Sequence, residues 1–412
     1  MKTSSHIDTS KSQDNTVVRL PIKVCMHVLG PALTDRRVMR EASALVEAGF
    51  EVSIVDVESE PTLPVKEEIS GICINHIIMP SMSVSTRFKP WFLVKAIRLI
   101  FRGTLRLMRI PADIYHAHDG MALPACYFAA RLRRKLLIFD AHELPFSYGS
   151  FIRWRRLRAL SSYLLARMVP YCVGVITVSH SIAQEIRRHY NVREVSLIRN
   201  VPMHQAVAKS DRLREYLDLD PKIRIALYQG GIQSDRGLDK LVYAAAFLER
   251  DIMIVIMGEG PKEIRTQLEA LIAKQMVGDR VKIIPPVPYE ELLKWTASAD
   301  IGLIVYSPDE SLNTQMCLPN KLFEYLMAGL PILASPLDAV ANIINTCDVG
   351  QIVHSLTPTN VAAAINAMLA DHAALDRMHH NALNAAQEFC WENESQRLIR
   401  LYRDILASFG EE

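Results

Sequence analysis

One segment of the sequence combines a helix start with residue types that bind anions and hydroxyl groups. Pro319 and Asn320 are typical of a helix start, and Lys321 and Glu324 follow within the next turn and a half. The free amide groups and the positive dipole end of such a helix attract a phosphate group. Glu324 is placed to accept hydrogen bonds from ribose hydroxyls, with a solvated helix carboxylate as its alternative interpretation. The segment therefore predicts a diphosphate site that needs no metal ion.

Glycine-containing loops follow two other apolar segments of the second half. Gly230 and Gly231 come directly after one of them, Arg236 lies in the same loop, and Gly258 follows the next. Glycine allows the backbone to approach a ligand closely, and a guanidinium group holds two phosphate oxygens at once. These loops favour the same anion site, although a simple tight turn is the alternative for each.

In the first half, polar residues stand where predicted strands end. Gly30 ends the first strand and Asp35 opens the next helix, while His118 and the pair His142 and Glu143 end two later strands. Strand ends of a parallel sheet are the usual place of a ligand site, although an isolated histidine is more often structural. The spacing does not suit a metal site, because the sequence offers no third ligand beside His118. Nucleophile-elbow and dinucleotide-binding motifs are also missing from the sequence.

Short apolar, β-branched segments alternate with helical patterns along the whole chain. This alternation predicts parallel sheets with crossover helices, and it starts again after a polar segment near residue 205. The prediction is an α/β protein with two Rossmann-like domains whose sheets face a central cleft. We expect a tail over 1–19, a first domain over 20–205, a second over 206–390, and a helix over 391–412 that crosses back to the first domain.

Composition places the chain among packed intracellular enzymes. The 412 residues are too many for one ordinary core, and the 7 cysteines are scattered without a C-x-x-C pair. The tail lacks the apolar core of a signal peptide, and no apolar stretch is long enough to span a bilayer. These features predict a cytoplasmic protein.

The first half of the chain is strongly basic. Residues 1–205 carry 28 Lys and Arg against 17 Asp and Glu, so this half should face something anionic. Within it, five cations recur at helical spacing, namely Lys95, Arg98, Arg102, Arg106 and Arg109, and a second basic run spans 153–158. The pattern indicates peripheral contact with the inner face of an anionic membrane, with an ordinary solvated helix face as the alternative. Nucleic acid is not expected, because no binding motif for it appears.

Five sequence segments together resemble the family-4 retaining glycosyltransferases, which have the GT-B fold. The similar segments lie at 35–42, 140–144, 228–237, 258–261 and 319–325, and the last is the most specific. The resemblance implies that the second domain binds a nucleotide sugar, UDP- or GDP-linked, and that the first domain binds the acceptor. No further cofactor and no essential metal are implied. A lipid-linked or saccharide acceptor, as in surface polysaccharide assembly, would suit the basic helix.

The resemblance also implies roles for single residues. Arg236 and Lys321 would neutralise the leaving diphosphate, Glu324 would hold the ribose, His118 would contact the donor sugar, and Val287 would border the base. The rest of the donor site would be formed by Gly30, Gly230, Gly231, Gly258, Asn313, Pro319 and Asn320, and the acceptor side by Asp35, His142 and Glu143. No protein nucleophile is implied, since the departing phosphate takes the acceptor's proton.

The sequence departs from the family at two positions. Gly231 stands where the family often has arginine, and Met316 stands where the first of two glutamates eight residues apart is usual. A methionine cannot bind sugar hydroxyls, so the identity of the donor sugar is open. Two other functions remain alternatives, a nucleotide-sugar epimerase of the same fold and a non-catalytic nucleotide-sugar binder.

Overall fold

The computed structural model describes residues 21–79, 89–145 and 155–409. The expected tail over 1–19 and the start of the basic run at 153–158 lie outside the described residues, as do the side chains of 89–92 and 155–157.

The first half folds around a sheet of eight strands within these described ranges. The strand order is β3-β4-β2-β1-β5-β6-β7-β8, and all neighbours are parallel except β3, which is antiparallel to β4. The strands are β1 Lys23–His27, β2 Glu51–Glu58, β3 Lys66–Ile69, β4 Ile72–Ile78, β5 Ile114–His118, β6 Leu136–Ala141, β7 Gly174–Thr177 and β8 Ser196–Leu197. The helices are α1 Arg36–Glu47, α2 Lys89–Met108, α3 Asp119–Arg133, α4 Arg155–Met168 and α5 His180–Tyr190.

The second half forms a six-stranded sheet, again counting the described part of the chain. Its order is β11-β10-β9-β12-β13-β14, and every pair is parallel. The strands are β9 Arg224–Gln229, β10 Ile252–Met257, β11 Val281–Ile284, β12 Ile301–Ile304, β13 Ile332–Ala334 and β14 Gly350–Ile352. The helices are α6 Arg212–Leu217, α7 Leu238–Ala244, α8 Lys262–Gln275, α9 Tyr289–Thr296, α10 Leu312–Met316, α11 Asn320–Met327, α12 Asp338–Cys347, α13 Pro358–Ala370 and α14 His372–Glu388.

Local sequence explains why these elements begin where they do. The Asp35 carboxylate accepts hydrogen bonds from the amides of Arg37 and Val38 and so caps α1. Strand β10 consists of apolar residues that are all buried, as expected for a strand covered on both faces. The division expected at residue 205 falls in segment 198–211, which joins the two sheets without helix or strand.

The last helix, α15 (Trp391–Phe409), returns to the first sheet. The Tyr402 hydroxyl lies 2.7 Å from Nδ1 of His116 on β5, and the Tyr402 ring meets Phe50 edge to face. Glu394 on the same helix pairs with Arg199 at 2.8 Å. Helix α15 therefore ties the end of the chain to the core of the first half. Among the described residues, no helix is both long and apolar enough to cross a membrane.

Candidate active site between the two sheets

A cavity of about 1010 Å³ lies between the two halves, at the carboxyl ends of strands from both sheets. It is bordered in the first half by the start of α1 and by the residues after β6. In the second half it is bordered by the loops after β9, β10 and β11 and by the start of α11. Parallel sheets place ligands at this edge, so the topology alone marks the cavity as the candidate site.

The start of α11 opens into this cavity. Pro319 precedes the helix, and no side chain of the described residues is seen to cap its first turn. The Leu322 amide donates to the Pro319 carbonyl at 2.9 Å, which leaves the earlier amides of the turn and the dipole end available to an anion.

Lys321 is a buried cation at this helix start. Only 6 % of its surface is exposed, and within the described residues its ammonium group has no hydrogen-bond acceptor. The nitrogen lies instead over the ring of Tyr228, 3.4 Å from the ring centroid. Burial holds the pKa of Lys321 well below its usual value, and the nearby charge of Arg236 lowers it further. A buried cation without a counter-ion is costly unless an anionic ligand completes the site.

Glu324 is held one turn further along α11 by a chain of hydrogen bonds. The Gln229 side-chain amide donates to the Glu324 carboxylate at 2.6 Å, and the Thr296 hydroxyl donates to the Gln229 carbonyl at 2.7 Å. Burial raises the pKa of Glu324, while the hydrogen bond from Gln229 acts to lower it. One carboxylate therefore faces the cavity with its orientation fixed by residues on β9 and α9.

The loop after β9 brings Arg236 into the same cavity. Gly237 ends this loop with φ of +67°, and a Cβ there would overlap the carbonyl oxygen of Val305. Only glycine fits such a position, so the close approach of the loop to β12 depends on it. The Arg236 guanidinium bonds the Gln233 side chain at 3.0 Å and lies 4.7 Å from the ring centroid of Tyr306.

A buried network of charged groups underlies the first-half wall of the cavity. Asp140, at the end of β6, accepts two hydrogen bonds from the Arg37 guanidinium, both at 2.8 Å. It also lies 2.9 Å from Nε2 of His142 and 3.4 Å from Nδ1 of His118. Burial alone would raise the pKa of Asp140, but the charges of Arg37 and His142 hold it well below its usual value.

The imidazole of His142 is engaged on both sides. Its Nε2 faces Asp140, and its Nδ1 lies 3.5 Å from the Asp119 carboxylate. Burial acts to lower the pKa of His142, but the two carboxylates raise it to about 9. His142 is therefore a cation at neutral pH that joins the ends of β5 and β6.

In the part of the chain that the structure describes, two groups of buried side chains have the spacing of metal ligands. The first comprises Glu41, His116, His118 and Asp140, and the second Asp56, Glu58 and His76. In the first group Arg37 lies 3.0 Å from Glu41 and 2.8 Å from Asp140, so both carboxylates already face a cation. In the second group His76 pairs with Asp56 at 2.7 Å and with Glu67 at 2.9 Å. Arg37 therefore already opposes both carboxylates of the first group, and in the second group His76 already engages Asp56.

Most of the side chains nominated from sequence line this cavity. They are Asp35, His142, Glu143, Gly230, Gly231, Arg236, Gly258, Val287, Asn313, Pro319, Asn320, Lys321 and Glu324. Gly30 and His118 do not line it. His118 is fully buried, 3.3 Å from His142 and stacked on His116, and its contact with a donor sugar stays a prediction. The roles of the lining residues likewise stay predictions.

Helix α10 ends at Met316, the residue that stands where the family usually has a sugar-binding glutamate. The Met316 carbonyl accepts a hydrogen bond from Ser179 at 2.6 Å, and the Met316 side chain packs on the apolar core of the first half. The Asn313 side-chain oxygen accepts from the Leu144 amide at 3.1 Å. Both residues therefore connect the two halves, and the Asn313 oxygen is already engaged there.

Sequence reasoning missed the residues that hold the site in place. Gln229 and Thr296 orient Glu324, and the rings of Tyr228 and Tyr306 lie against the two cations. Gln229 carried a usable signal, because it is a polar residue at the carboxyl end of an apolar strand. Thr296 carried no comparable signal, since it lies inside α9 far along the chain.

Two facing parallel α/β sheets with a ligand cavity at their carboxyl ends define the GT-B class of glycosyltransferase folds, as the sequence predicted. Solved structures agree. Sucrose-phosphate synthase from Thermosynechococcus elongatus superposes with a TM-score of 0.75 at 16 % identity, over 94 % of this chain and 100 % of that one. The Anabaena protein HepE, solved with UDP and glucose, superposes with a TM-score of 0.70 at 12 % identity, over 94 % of this chain and 100 % of that one.

Sequence comparison narrows this class to one family. Residues 34–201 match the family described as Glycosyltransferase Family 4, and residues 223–371 match Glycosyl transferases group 1, together more than half of the chain. D-inositol 3-phosphate glycosyltransferase 1 of Catenulispora acidiphila is 24 % identical over 390 residues, 90 % of each chain. Alpha-D-kanosaminyltransferase of Streptomyces kanamyceticus is 24 % identical over 74 % of this chain and 81 % of its own. The chain belongs to the family-4 glycosyltransferases.

Proposed function

We propose that this glycosyltransferase moves a sugar from a nucleoside diphosphate sugar to a lipid-linked or saccharide acceptor. The observation that carries the proposal is the unpaired cation of Lys321, buried at the open start of α11 and facing the same cavity as Arg236. A diphosphate supplies the hydrogen-bond acceptors that the Lys321 ammonium group lacks among the described residues. The UDP bound to the Anabaena protein supports a uridine donor, with a guanosine donor as the other candidate.

The proposed reaction keeps the anomeric configuration and needs no essential metal. The bond between the anomeric carbon and the phosphate oxygen breaks, and the acceptor oxygen bonds to the same face of that carbon. The departing phosphate oxygen takes the acceptor's proton. Lys321, Arg236 and the amides of α11 stabilise the charge that develops on the diphosphate, and this stabilisation lowers the barrier. Glu324 would hold the ribose, and Asp35, His142 and Glu143 would face the acceptor.

Incubation with UDP-, GDP- and ADP-sugars tests the reaction. We expect slow hydrolysis of one donor, and proton NMR of the first product should show the donor's own anomeric configuration. An inverted product would contradict retention. An isomerised donor would identify an epimerase instead. Binding without turnover would identify a nucleotide-sugar binder, an alternative that the Met316 side chain favours because it replaces a sugar-binding carboxylate.

Replacing Gln229 by leucine should weaken donor binding in a pH-dependent manner. Without the amide, the pKa of Glu324 rises further, because burial then acts without the opposing hydrogen bond. A protonated carboxyl accepts hydrogen bonds from ribose hydroxyls poorly. As the pH is lowered, UDP affinity should therefore begin to fall at a higher pH in the variant than in the wild type. Calorimetric titration with UDP across pH measures this shift. Glu324→Gln is the matched control, because its affinity for UDP cannot depend on the titration of a carboxyl group at position 324.

The membrane part of the proposal depends on the outward face of α2. Apolar side chains form its centre, with Ile97 58 % and Phe101 62 % exposed; Arg98 and Arg102 are exposed beside them, and Arg109 is exposed just after the helix ends. Lys95 is half-buried, and Arg106 is tied to the protein by a hydrogen bond to the Val65 carbonyl at 3.1 Å. An apolar strip beside a basic strip suits the headgroup layer of an anionic leaflet, which here would be the cytoplasmic one.

The neighbouring helices extend this surface. Helix α3 packs against both α2 and α4. Exposed apolar side chains on these two helices are Phe128 and Leu132 on α3 and Leu160, Tyr163 and Leu164 on α4. Exposed cations on them are Arg131 and Arg133 on α3 and Arg158 and Arg167 on α4. A broad basic and apolar surface fits a membrane better than it fits a solvated helix face.

Charge reversal on α2 should release the protein from anionic vesicles. The double change Arg98→Glu and Arg102→Glu is expected to weaken binding to phosphatidylglycerol vesicles roughly 30-fold or more, because each cation contributes about 1 kcal/mol. Vesicle flotation measures the bound fraction. The control is Lys262→Glu with Lys274→Glu, two exposed lysines on α8 in the other half. Equal binding of both double variants would contradict the membrane proposal.

A further inference from the structure

Two cations of the cavity lie against a pair of aromatic rings and have one of these rings in common. The Lys321 nitrogen lies 3.4 Å from the ring centroid of Tyr228 and 5.2 Å from that of Tyr306. The Arg236 guanidinium lies 4.7 Å from the same Tyr306 centroid. Tyr306 is therefore common to both cations, and we call the two rings the aromatic bracket.

The two cations repel each other in the absence of an anion. The neighbouring charge of Arg236 disfavours the ammonium form of Lys321 and so helps to lower the pKa of Lys321. Arg236 has polar partners of its own, Gln233 at 3.0 Å and Asp235 at 3.5 Å. Lys321 has no acceptor among the described residues, although the Glu324 charge acts on it. The ring faces are therefore the main direct contacts of its charged group.

An aromatic face suits this position better than a carboxylate. The face attracts a cation through its quadrupole and keeps it in place. A carboxylate would form a salt bridge that the incoming diphosphate has to displace. The bracket thus keeps Lys321 close to Arg236 without supplying the anion that Lys321 lacks.

Both rings are fixed by their surroundings. Tyr228 is fully buried on β9, and its hydroxyl donates to the Gly231 carbonyl at 2.8 Å. Tyr306 is 3 % exposed, lies just after β12 and borders the cavity. Rings with so little freedom define where the two cations can lie.

We propose that Tyr306, together with Tyr228, is a positioning residue that holds Lys321 and Arg236 at the spacing required by the diphosphate of the donor. This inference rests on the proposed function, because it takes the diphosphate as the ligand of the two cations. The ring acts through the cations and forms no bond to the donor.

Replacing the ring while keeping the fold tests this role. Tyr306→Leu removes the aromatic face, and we expect roughly tenfold weaker UDP binding by calorimetry. Tyr306→Phe keeps the face and loses only the hydroxyl, so its affinity should stay near that of the wild type. Urea unfolding of both variants shows whether the fold persists, and Tyr306→Met replaces the leucine variant if that one does not fold.

A double-mutant cycle separates positioning from general packing. If the ring acts through Lys321, Tyr306→Leu should weaken UDP binding far less in a Lys321→Ala background than in the wild type. The same loss in both backgrounds, or equal losses for the leucine and phenylalanine variants, would overturn the bracket. The proposed function fails by a different result, namely unchanged UDP binding in Lys321→Ala itself.

Discussion

Lys321→Ala is expected to lower kcat/KM about 100- to 1000-fold, the largest loss of activity that we expect from any single substitution in this chain. The ammonium group is buried, lacks a hydrogen-bond acceptor among the described residues and faces the cavity at the start of α11. Removing one preorganised charge at a developing anion typically costs this much in an enclosed site. Steady-state kinetics with the identified donor measure the loss.

Lys321 should also destabilise the ligand-free protein. Burial without a counter-ion disfavours the charged form, so Lys321→Met, which keeps the length of the side chain, is expected to stabilise the ligand-free chain by about 1 kcal/mol. Activity and stability should therefore change in opposite directions. Urea unfolding without nucleotide measures the second effect, and added UDP should stabilise the wild type more than the variant.

The pH dependence of that stability has a definite sign. The pKa of Lys321 is lowered in the folded state, so the unfolded chain binds the extra proton between the two pKa values. Stability of the wild type relative to Lys321→Met should therefore rise with pH up to the ordinary lysine pKa of about 10.4. Lys262→Met is the matched control, because Lys262 is exposed on α8. A wild type that loses stability relative to Lys321→Met as pH rises would contradict the buried, unpaired cation.

Strands covered on both faces were predictable from sequence. The apolar run over 252–257 forms β10, because a continuous apolar run of that length suits a buried parallel strand. The hairpin of β3 and β4 was missed. Strand β3 is short and charged at an edge of the sheet, and β4 contains Asn75 and His76, whose polarity breaks the apolar pattern. Their burial depends on partners such as Asp56 that the local sequence does not reveal.

The residues of the site were easier to predict than their support. Lys321 and Glu324 belong to one short helix, so local spacing was enough to place them together. The hydrogen bond from Thr296 to Gln229 joins residues 67 positions apart, and only the sheet topology brings them into contact. The sequence also indicated cations along one face of α2, but it could not show that apolar side chains form the centre of the exposed face. Tertiary packing decides which side of a helix is covered.

Asp140→Asn is expected to destabilise the fold by about 3–5 kcal/mol, the largest loss of stability that we expect from a single polar substitution. Asp140 is fully buried, accepts two hydrogen bonds from Arg37 and also faces His142. The neutral amide would leave the buried guanidinium with Glu41 as its remaining carboxylate neighbour at 3.0 Å. Removing one partner of a buried charge pair typically has this cost. Urea unfolding measures it.

An exposed ion pair gives the matched control. Asp348 pairs with Arg377 at 2.8 Å, with more than half of each side chain exposed. Asp348→Asn should cost less than about 1 kcal/mol, because solvent screens such a pair and asparagine tolerates the left-handed backbone at this position. Similar losses for both variants would show that the Asp140 network contributes no more than a surface pair.

The acid and alkaline limits of stability should both respond to Asp140→Asn. The depressed pKa of Asp140 gives stability that is present above the ordinary aspartate pKa and is lost as pH falls below it, so the variant should show a flatter acid profile. The pKa of His142 is raised to about 9. The stability that this gives is complete below the ordinary histidine pKa of about 6.5 and is lost as pH rises through about 9. In Asp140→Asn, Asp119 is the remaining carboxylate that pairs with His142. This variant should therefore lose less stability than the wild type as the pH rises from about 6.5 to about 9. Arg37→Met then tests whether the two charges act as a pair, because the double variant should lose clearly less than the sum of the single losses.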